Sequence, residues 1–212
     1  YIIMRTIEDL KWRYATMKFD ATKKISNEDL DKLKGAIQLT ATSYGLQLFK
    51  VLIIENPETR NLLKPASWGQ SQITDASHLL VFCNFSEVTE DHLNHFAAIK
   101  SKANNIPMED LSGYVGFIQS KLGELNADQI DNWTAKQTYI GLANLMNAAA
   151  ELHIDTCPME GFDKAQYDEI LGLSAKGLSA AVLCPIGYRS EDDATQHASK
   201  VRKSLEDLFE VV

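Results

Sequence analysis

The sequence predicts a single α+β domain in which helices outnumber the strands of a small central sheet. Three apolar runs rich in β-branched and aromatic residues are typical of buried strands, and they lie at 48–55, 79–85 and 178–188. Segments between them repeat apolar residues with the period of a helix. The length of 212 residues suits one domain with a full hydrophobic core, so we expect residues 1–212 to form that domain.

The first half of the chain is expected to alternate helices with two of the strands. Residues 7–15 are predicted to form the first helix. A second begins after Ser26, a typical N-terminal cap with an aspartate three residues on. The polar segment 42–47 then breaks this helix before the first strand. Asn56 and Pro57 end that strand and start a short helix, which leads through an irregular polar loop to the second strand.

The second half is predicted to be mainly helical as far as the last strand. Residues 90–125 read as helical with a break at 104–107, and the helix at 128–152 is the most hydrophobic element. The latter half of that helix is apolar nearly all the way round, so it must be covered on every side. The domain alone or a second subunit could supply this cover, and we favour a dimer interface. The chain then continues with a helix, the third strand, a polar loop and an apolar tail that is expected to pack on a partner subunit, at 165–173, 178–188, 190–204 and 205–212.

Composition and charge argue against several classes of protein. The net charge is −8, and the only basic cluster is "SKVRKS" at 199–204, which is enough for one phosphate but not for a nucleic acid. No run of eighteen apolar residues predicts a membrane span. The opening segment lacks the apolar stretch of a signal peptide, and Met4 is a candidate for the natural first residue, a longer N-terminus being the alternative. The cysteines are expected to be the reduced thiols of a cytoplasmic protein.

The chain also lacks the motifs of several enzyme classes. There is no GxGxxG after the first strand, no P-loop, no GxSxG and no HExxH. The cysteines are Cys83, Cys157 and Cys184. Their odd number and the lack of CxxC spacing argue against a disulfide framework or a zinc site, so no metal is expected. No His/Asp constellation accompanies Cys157, so we do not expect it to be a nucleophile.

Five separated segments together resemble one enzyme family. They are "RYATMKFD" at 13–20, "TSYGLQLFKVLII" at 42–54, "ITDASHLLVFC" at 73–83, "WTAKQTYIGLANLMNAAAELHIDTCPMEGFD" at 133–163 and "KVRKS" at 200–204. In this order they resemble the nitroreductase family over nearly the whole chain, most of all the branch of oxygen-insensitive NAD(P)H nitroreductases and dihydropteridine-reductase-like proteins. The segment that begins at 133 is specific to this family, whereas "RYAT" alone would be weak evidence for it.

The resemblance implies an assembly and an activity. The fold would be a central, mostly antiparallel sheet flanked by helices, in a homodimer that exchanges C-terminal segments and binds FMN at the subunit interface. The activity would be ping-pong hydride transfer from NADH or NADPH to nitroaromatics, quinones or similar electron-poor small molecules, without a catalytic side chain. A non-catalytic flavin-binding or flavin-carrier protein is the alternative, and a helical dimerisation module without cofactor is a third interpretation.

The resemblance also assigns residues to the flavin. A phosphate dianion needs fixed cations, which Arg13, Lys200 and Arg202 would provide. The turn 158–161 would lie over the flavin ring with an N–H of Glu160 or Gly161 facing N5, since glycine lets the backbone come close. The expected FMN-binding residues are Arg13, Tyr14, Ala15, Met17, Thr42, Ser43, Gly45, Gln70, Gln72, Pro158, Met159, Glu160, Gly161, Lys200 and Arg202.

The second subunit and the substrate receive residues by the same resemblance. The loop that follows the second helix would reach the flavin from the partner subunit through Thr42, Ser43 and Gly45. Gln70 and Gln72 would bond the ribityl chain or the pyrimidine edge. Tyr44 would stack on an aromatic substrate, and Phe117 would cap the substrate pocket.

Two positions depart from the family pattern. Many members carry a lysine four residues after the first arginine and another at a second position, close to flavin N1 and O2. This chain has Met17 and Gln72 there, and its nearest lysine is Lys18. A cation near N1 stabilises the anionic reduced flavin. We therefore expect the reduced flavin to be less favourable here unless Lys18 takes the place of the missing lysine, so the flavin potential and the choice of acceptor stay open.

Overall fold

The elements of the fold are known for residues 5–212, which a computed structural model describes; Met4 lies outside this range. The helices are α1 (Arg5–Trp12), α2 (Asn27–Gln38), α3 (Pro57–Ala66), α4 (Gln72–Asp75), α5 (Glu90–Asn104), α6 (Ser112–Gly123), α7 (Ala127–Glu151), α8 (Lys164–Ile170) and α9 (Leu205–Leu208). The strands are β1 (Phe49–Ile54), β2 (His78–Phe85), β3 (Asp155–Thr156) and β4 (Leu178–Gly187). Short 3₁₀ turns lie at Ser43–Gly45, Met108–Leu111, Ser174–Lys176 and Ala194–His197.

The four strands form one sheet in the order β1-β2-β4-β3, and every neighbouring pair is antiparallel. This confirms the predicted α+β fold with an antiparallel sheet flanked by helices. β3 was not predicted, because two residues, Asp155 and Thr156, are too few for any strand pattern. They become a strand only because they meet Gly187 and Ile186 of β4.

The sheet is covered by helices on both faces. Successive side chains of β2 point to opposite faces, as they must in a strand. Leu79 and Val81 therefore join a core with residues of α3 and α8, whereas Leu80 and Phe82 join a second core with residues of α2 and α7. A smaller apolar cluster lies between α5, α6 and the start of α7.

Local signals located most helix ends, and tertiary contacts shortened one helix. Ser26 caps α2 by accepting a hydrogen bond from Asp29 N–H, as predicted. The helix predicted over 7–15 ends earlier, at Trp12. The reason is that Ala15 forms a parallel bridge with Thr156, which needs extended backbone at the sheet edge.

Two apolar surfaces stay exposed within one chain. α7 buries Leu142 and Leu145 but leaves Tyr139 and Ile140 40% and 43% exposed. The apolar side chains of the tail are even more open and comprise Val201, Leu205, Leu208, Phe209, Val211 and Val212. Over residues 5–212, no helix combines the length and the apolar character that a membrane crossing requires.

Candidate cofactor-binding site

A cavity of about 370 Å³ lies where the segment after α1 meets the segment after β3 and the C-terminal segment. Six of the predicted FMN-binding residues line it: Arg13, Tyr14, Ala15, Pro158, Lys200 and Arg202. They come from three distant parts of the chain, so only the fold brings them together.

The guanidinium of Arg13 is the unusual group of this cavity. Its Nε and Nη2 are buried and have no hydrogen-bond partner among the residues that the structure describes, 5–212. Within residues 5–212, Arg13, Lys200 and Arg202 form no ion pair with a carboxylate. Burial lowers the pKa of Arg13, and the nearby Arg202 lowers it further. Because buried charges need a partner, this arrangement is complementary to an anion with several oxygen acceptors, such as a phosphate.

Arg189 and Asp155 support the segment that carries Arg13. The Arg189 guanidinium donates to the Asp155 carboxylate from Nε and Nη2, at 2.9 and 2.6 Å from Oδ1. It also lies over the rings of Trp12 and Tyr14, 4.4 and 4.6 Å from their centroids. Thr16 Oγ1 donates to the same carboxylate. The residues on either side of Arg13 are therefore anchored to the end of β4.

Asp193 holds the next part of this segment. Its Oδ2 accepts hydrogen bonds from Tyr14 Oη at 2.9 Å, Met17 N–H at 2.9 Å and Lys18 N–H at 3.2 Å. Thr195 N–H donates to the other oxygen. Burial alone would raise the pKa of Asp193, but these hydrogen bonds, the one from Lys18 foremost, outweigh it and lower the pKa.

Asp193→Asn is expected to lower the free energy of unfolding at neutral pH. At acid pH the variant and the wild type are expected to be equally stable. A carboxylate whose pKa is lower in the folded than in the unfolded state stabilises the fold above its unfolded pKa, about 3.9. That contribution is lost as the pH falls through the folded pKa. Urea unfolding of both proteins from neutral pH down to about pH 3 measures the difference. The control is Asp192→Asn, which changes an exposed neighbour. If the free energy of unfolding differed between wild type and Asp193→Asn by the same amount at every pH, the role assigned to Asp193 would be contradicted.

The inner wall beside this segment is uncharged. Gln72 is buried, and its Nε2 lies 3.7 Å from Met17 Sδ. Burial raises the pKa of Cys157 to about 11, although Arg13 and a hydrogen bond from Gln72 act in the opposite direction. The thiol is therefore neutral at physiological pH, which agrees with the expectation that it is no nucleophile.

The turn 158–161 continues this wall. Met159 is buried and exchanges both backbone hydrogen bonds with Leu183 of β4, at 2.9 and 3.0 Å. The next two N–H groups, those of Glu160 and Gly161, have no hydrogen-bond partner among residues 5–212. They are the pair that was predicted to face the flavin.

Gly161 lies close to the side chains of Trp68 and Gln70. A Cβ at this position would lie 2.9 Å from Cζ3 of Trp68 and 3.3 Å from Nε2 of Gln70. Gln70 donates from that nitrogen to the carbonyls of Ser67 and Gly161, at 3.0 and 2.8 Å. Both amide hydrogens of Gln70 are thus used by the protein, and only its Oε1 is left for a ligand.

The other predicted residues lie elsewhere in the chain. Ser43 N–H donates to Gln137 Oε1 of α7, and Thr42 and Gly45 lie in the same loop. Tyr44 packs edge-on against Phe117, with 6.4 Å between ring centroids.

The two groups of residues contact different parts of α7, and Gln137, which Ser43 contacts, lies near the middle of the helix. The Arg13 side contacts the helix C-terminus, where Trp12 stacks on His153. Glu151, at the C-terminus of α7, lies fourteen helical steps beyond Gln137, which corresponds to about 21 Å at 1.5 Å per residue. Within residues 5–212, the residues that line the Arg13 cavity do not include Thr42, Ser43, Tyr44, Gly45 or Phe117.

Four residues around the site were not predicted from the sequence as site residues: Trp68, Tyr139, Asp155 and Asp193. Asp193 carries one local signal, since its side chain caps the short turn at Ala194–His197. Its other partners are 175 to 179 positions away in the chain. Such long-range pairs leave no pattern in a single sequence.

Comparison with known proteins identifies the family. The Nitroreductase family model matches residues 10–188. The chain belongs to the nitroreductase family. Two relatives named as inferred NAD(P)H nitroreductases support this. The one from Staphylococcus epidermidis is 35% identical over 212 residues, which cover 96% of this chain and 94% of the relative. The one from Bacillus subtilis is 31% identical over 217 residues, with 97% and 96% covered.

Solved structures confirm the nitroreductase fold. A protein of Staphylococcus epidermidis described as an inferred NAD(P)H:FMN oxidoreductase has a TM-score of 0.88 at 18% identity, over 99% of this chain and 97% of that one. An inferred nitroreductase of Exiguobacterium sibiricum, solved in complex with FMN, has a TM-score of 0.83 at 21% identity, over 98% and 97%. At these identities the likeness concerns the fold alone.

Proposed function

We propose that this nitroreductase-family chain is an FMN-dependent NAD(P)H oxidoreductase. The observation that carries the proposal is the guanidinium of Arg13, whose buried Nε and Nη2 have no hydrogen-bond partner among residues 5–212 and which shares its cavity with Lys200 and Arg202. When bound, FMN supplies the redox chemistry by taking a hydride from NADH or NADPH and passing it to an electron-poor acceptor in a ping-pong cycle. Nitroaromatics and quinones are the proposed acceptors.

The side chains of this site bind and orient the cofactor. Arg13, Lys200 and Arg202 would hold the phosphate, because paired guanidinium donors match phosphate oxygens. Gln72 is the buried polar side chain available to the ribityl or pyrimidine portion. The unbonded N–H groups of Glu160 and Gly161 would face the flavin ring. Tyr14, Ala15, Met17, Pro158 and Met159 complete the wall.

A homodimer is part of the proposal. The exposed apolar tail and the exposed side of α7 need a covering surface. The loop that holds Thr42, Ser43 and Gly45 lies far from Arg13 within one chain, so the loop of a second subunit would complete the cavity. We retain the expectation of one FMN-binding domain over residues 1–212, with the C-terminal segments exchanged and Tyr44 and Phe117 on the substrate side.

The triple variant Leu205→Ser, Leu208→Ser and Phe209→Ser is expected to raise the dimer dissociation constant by at least about 100-fold. Each apolar side chain moved out of water contributes about 1.5–3 kcal/mol. Sedimentation equilibrium measures the effect. The matched control changes polar residues of the same segment, Glu206→Gln and Glu210→Gln, and keeps the dimer. A wild-type monomer, or a triple variant as dimeric as the control, would refute the exchanged tail.

Visible absorbance of the purified protein, reconstituted with FMN, tests the activity. We expect bound flavin that bleaches anaerobically on addition of NADH or NADPH, and recovers its colour when menadione is added. Flavin that binds but bleaches with neither nucleotide would favour the flavin-carrier alternative. A protein that takes up no FMN would overturn the proposal.

A further inference from the structure

The turn 158–161 is held by side chains at two points. On one side, the Tyr139 hydroxyl of α7 donates to Glu160 Oε1 at 2.7 Å. On the other side, Gln70 Nε2 donates to the carbonyl of Gly161 at 2.8 Å. A distance of 2.7 Å is typical of a hydroxyl bonded to an ionised carboxylate. The two acceptors are adjacent residues, and the two donors come from different parts of the fold.

The backbone between these two contacts has few bonds of its own. The N–H groups of Glu160 and Gly161 lack partners over residues 5–212. Phe162 N–H donates to Glu160 O at 3.0 Å within the turn, and Asp163 N–H ties its end to the fold by donating to Ala66 O at 2.7 Å. Trp68 blocks the face of Gly161 where a Cβ would stand. The orientation of the two free N–H groups therefore depends on the side chains that hold their residues.

We propose that Tyr139 and Gln70 are positioning residues that together fix the direction of the Glu160 and Gly161 N–H groups. Tyr139 acts through the Glu160 carboxylate and Gln70 through the Gly161 carbonyl. The cofactor part of this inference rests on the proposed function, in which these N–H groups face flavin N5. N5 accepts hydrogen bonds in oxidised flavin but carries its own hydrogen after reduction, so a fixed donor favours the oxidised form.

The apoprotein tests the two contacts without any cofactor. Tyr139→Phe removes only the hydroxyl, and Gln70→Met keeps the length of the side chain but removes the donors. Amide hydrogen exchange at Phe162 and Asp163 is expected to rise about fivefold to tenfold in each variant, since one hydrogen bond is lost. Tyr188→Phe is the matched control, because no hydrogen bond of its hydroxyl is found over residues 5–212.

A conservative change at the acceptor separates the hydrogen bond from the charge. Glu160→Gln keeps an oxygen that accepts from Tyr139 and should exchange as slowly as wild type, whereas Glu160→Leu should behave like Tyr139→Phe. The double variant Tyr139→Phe, Glu160→Leu should add nothing to either single change, as expected for two partners of one interaction.

Binding of oxidised and reduced FMN tests the positioning role. In Tyr139→Phe we expect the affinity for oxidised FMN to fall about tenfold while that for reduced FMN stays within twofold. For a two-electron couple this ratio raises the midpoint potential by about 30 mV. A merely structural effect would weaken both forms alike and leave the potential unchanged.

The outcomes distinguish this inference from the proposed function. If wild type binds no FMN, the proposed function fails and the exchange measurement alone decides whether the turn is held. If exchange in Tyr139→Phe and Gln70→Met equals that of Tyr188→Phe, the inference is overturned. If exchange rises but both redox forms of FMN weaken equally, the positioning role is overturned.

Discussion

Arg13→Met is expected to weaken FMN binding by about 100-fold without lowering the stability of the apoprotein. The loss in affinity follows because a hydrogen bond to a charged group contributes about 1.5–3 kcal/mol, and a guanidinium makes more than one with a phosphate. The unchanged stability follows because Nε and Nη2 of Arg13 are buried and find no partner in the described part of the chain, residues 5–212. A methionine has a similar length and removes an uncompensated buried charge.

Fluorescence titration of FMN and thermal unfolding of the apoprotein measure the two effects of Arg13→Met. Lys203→Met is the matched control, since it removes a cation from the same basic segment but from a residue that does not line the cavity. It should bind FMN within threefold of wild type. Arg13→Lys should recover only part of the affinity, because an ammonium group lacks the planar fork. An Arg13→Met protein that binds FMN normally would refute the phosphate assignment.

Asp155→Asn is expected to reduce the free energy of unfolding by about 3 kcal/mol, the cost of breaking a buried ion pair. Asp155 is 3% exposed and pairs with Arg189, which also donates its backbone N–H to the same carboxylate at 2.8 Å. The amide of asparagine would place hydrogens against the guanidinium. Urea unfolding of the apoprotein measures the effect.

FMN affinity is expected to fall as well in Asp155→Asn, because Thr16 and Arg189 no longer anchor the segment that carries Arg13. The control is Asp31→Asn, which breaks an exposed pair with Lys34 on α2. Exposed pairs contribute little, so this variant should unfold like wild type. Equal stability of Asp155→Asn and Asp31→Asn would show that the buried pair does not support the site.

Most elements could be predicted where a signal was local. The Ser26 cap and the Asn56–Pro57 start located α2 and α3 because capping involves residues within one turn. The apolar runs located β1, β2 and β4. The end of α1 and the whole of β3 were missed for one reason. Ala15 bridges Thr156, and Asp155 and Thr156 pair with Gly187 and Ile186 of β4, and none of these partners lies within a local sequence window.

For the candidate site too, the residue types could be predicted from the sequence, whereas their spatial neighbours could not. The family resemblance predicted Arg13, Lys200, Arg202 and the turn 158–161 by residue type and order, and the fold brings the three cations and Pro158 of the turn to one cavity. It also nominated Thr42, Ser43, Gly45 and Phe117, which the fold of one chain keeps apart from Arg13. Sequence patterns do not state whether two residues meet within one subunit or across two.

The sequence by itself determined the fold class, the family and the chemical types at the proposed flavin site, since these depend on residue identity and short-range spacing. Only the tertiary structure decided that Nε and Nη2 of Arg13 are buried without a partner among residues 5–212, that Asp155 and Asp193 anchor its segment, and that Tyr139 and Gln70 contact the turn. The physical reason is that burial and hydrogen-bond partnership are properties of three-dimensional neighbours. A residue acquires them only when distant segments pack.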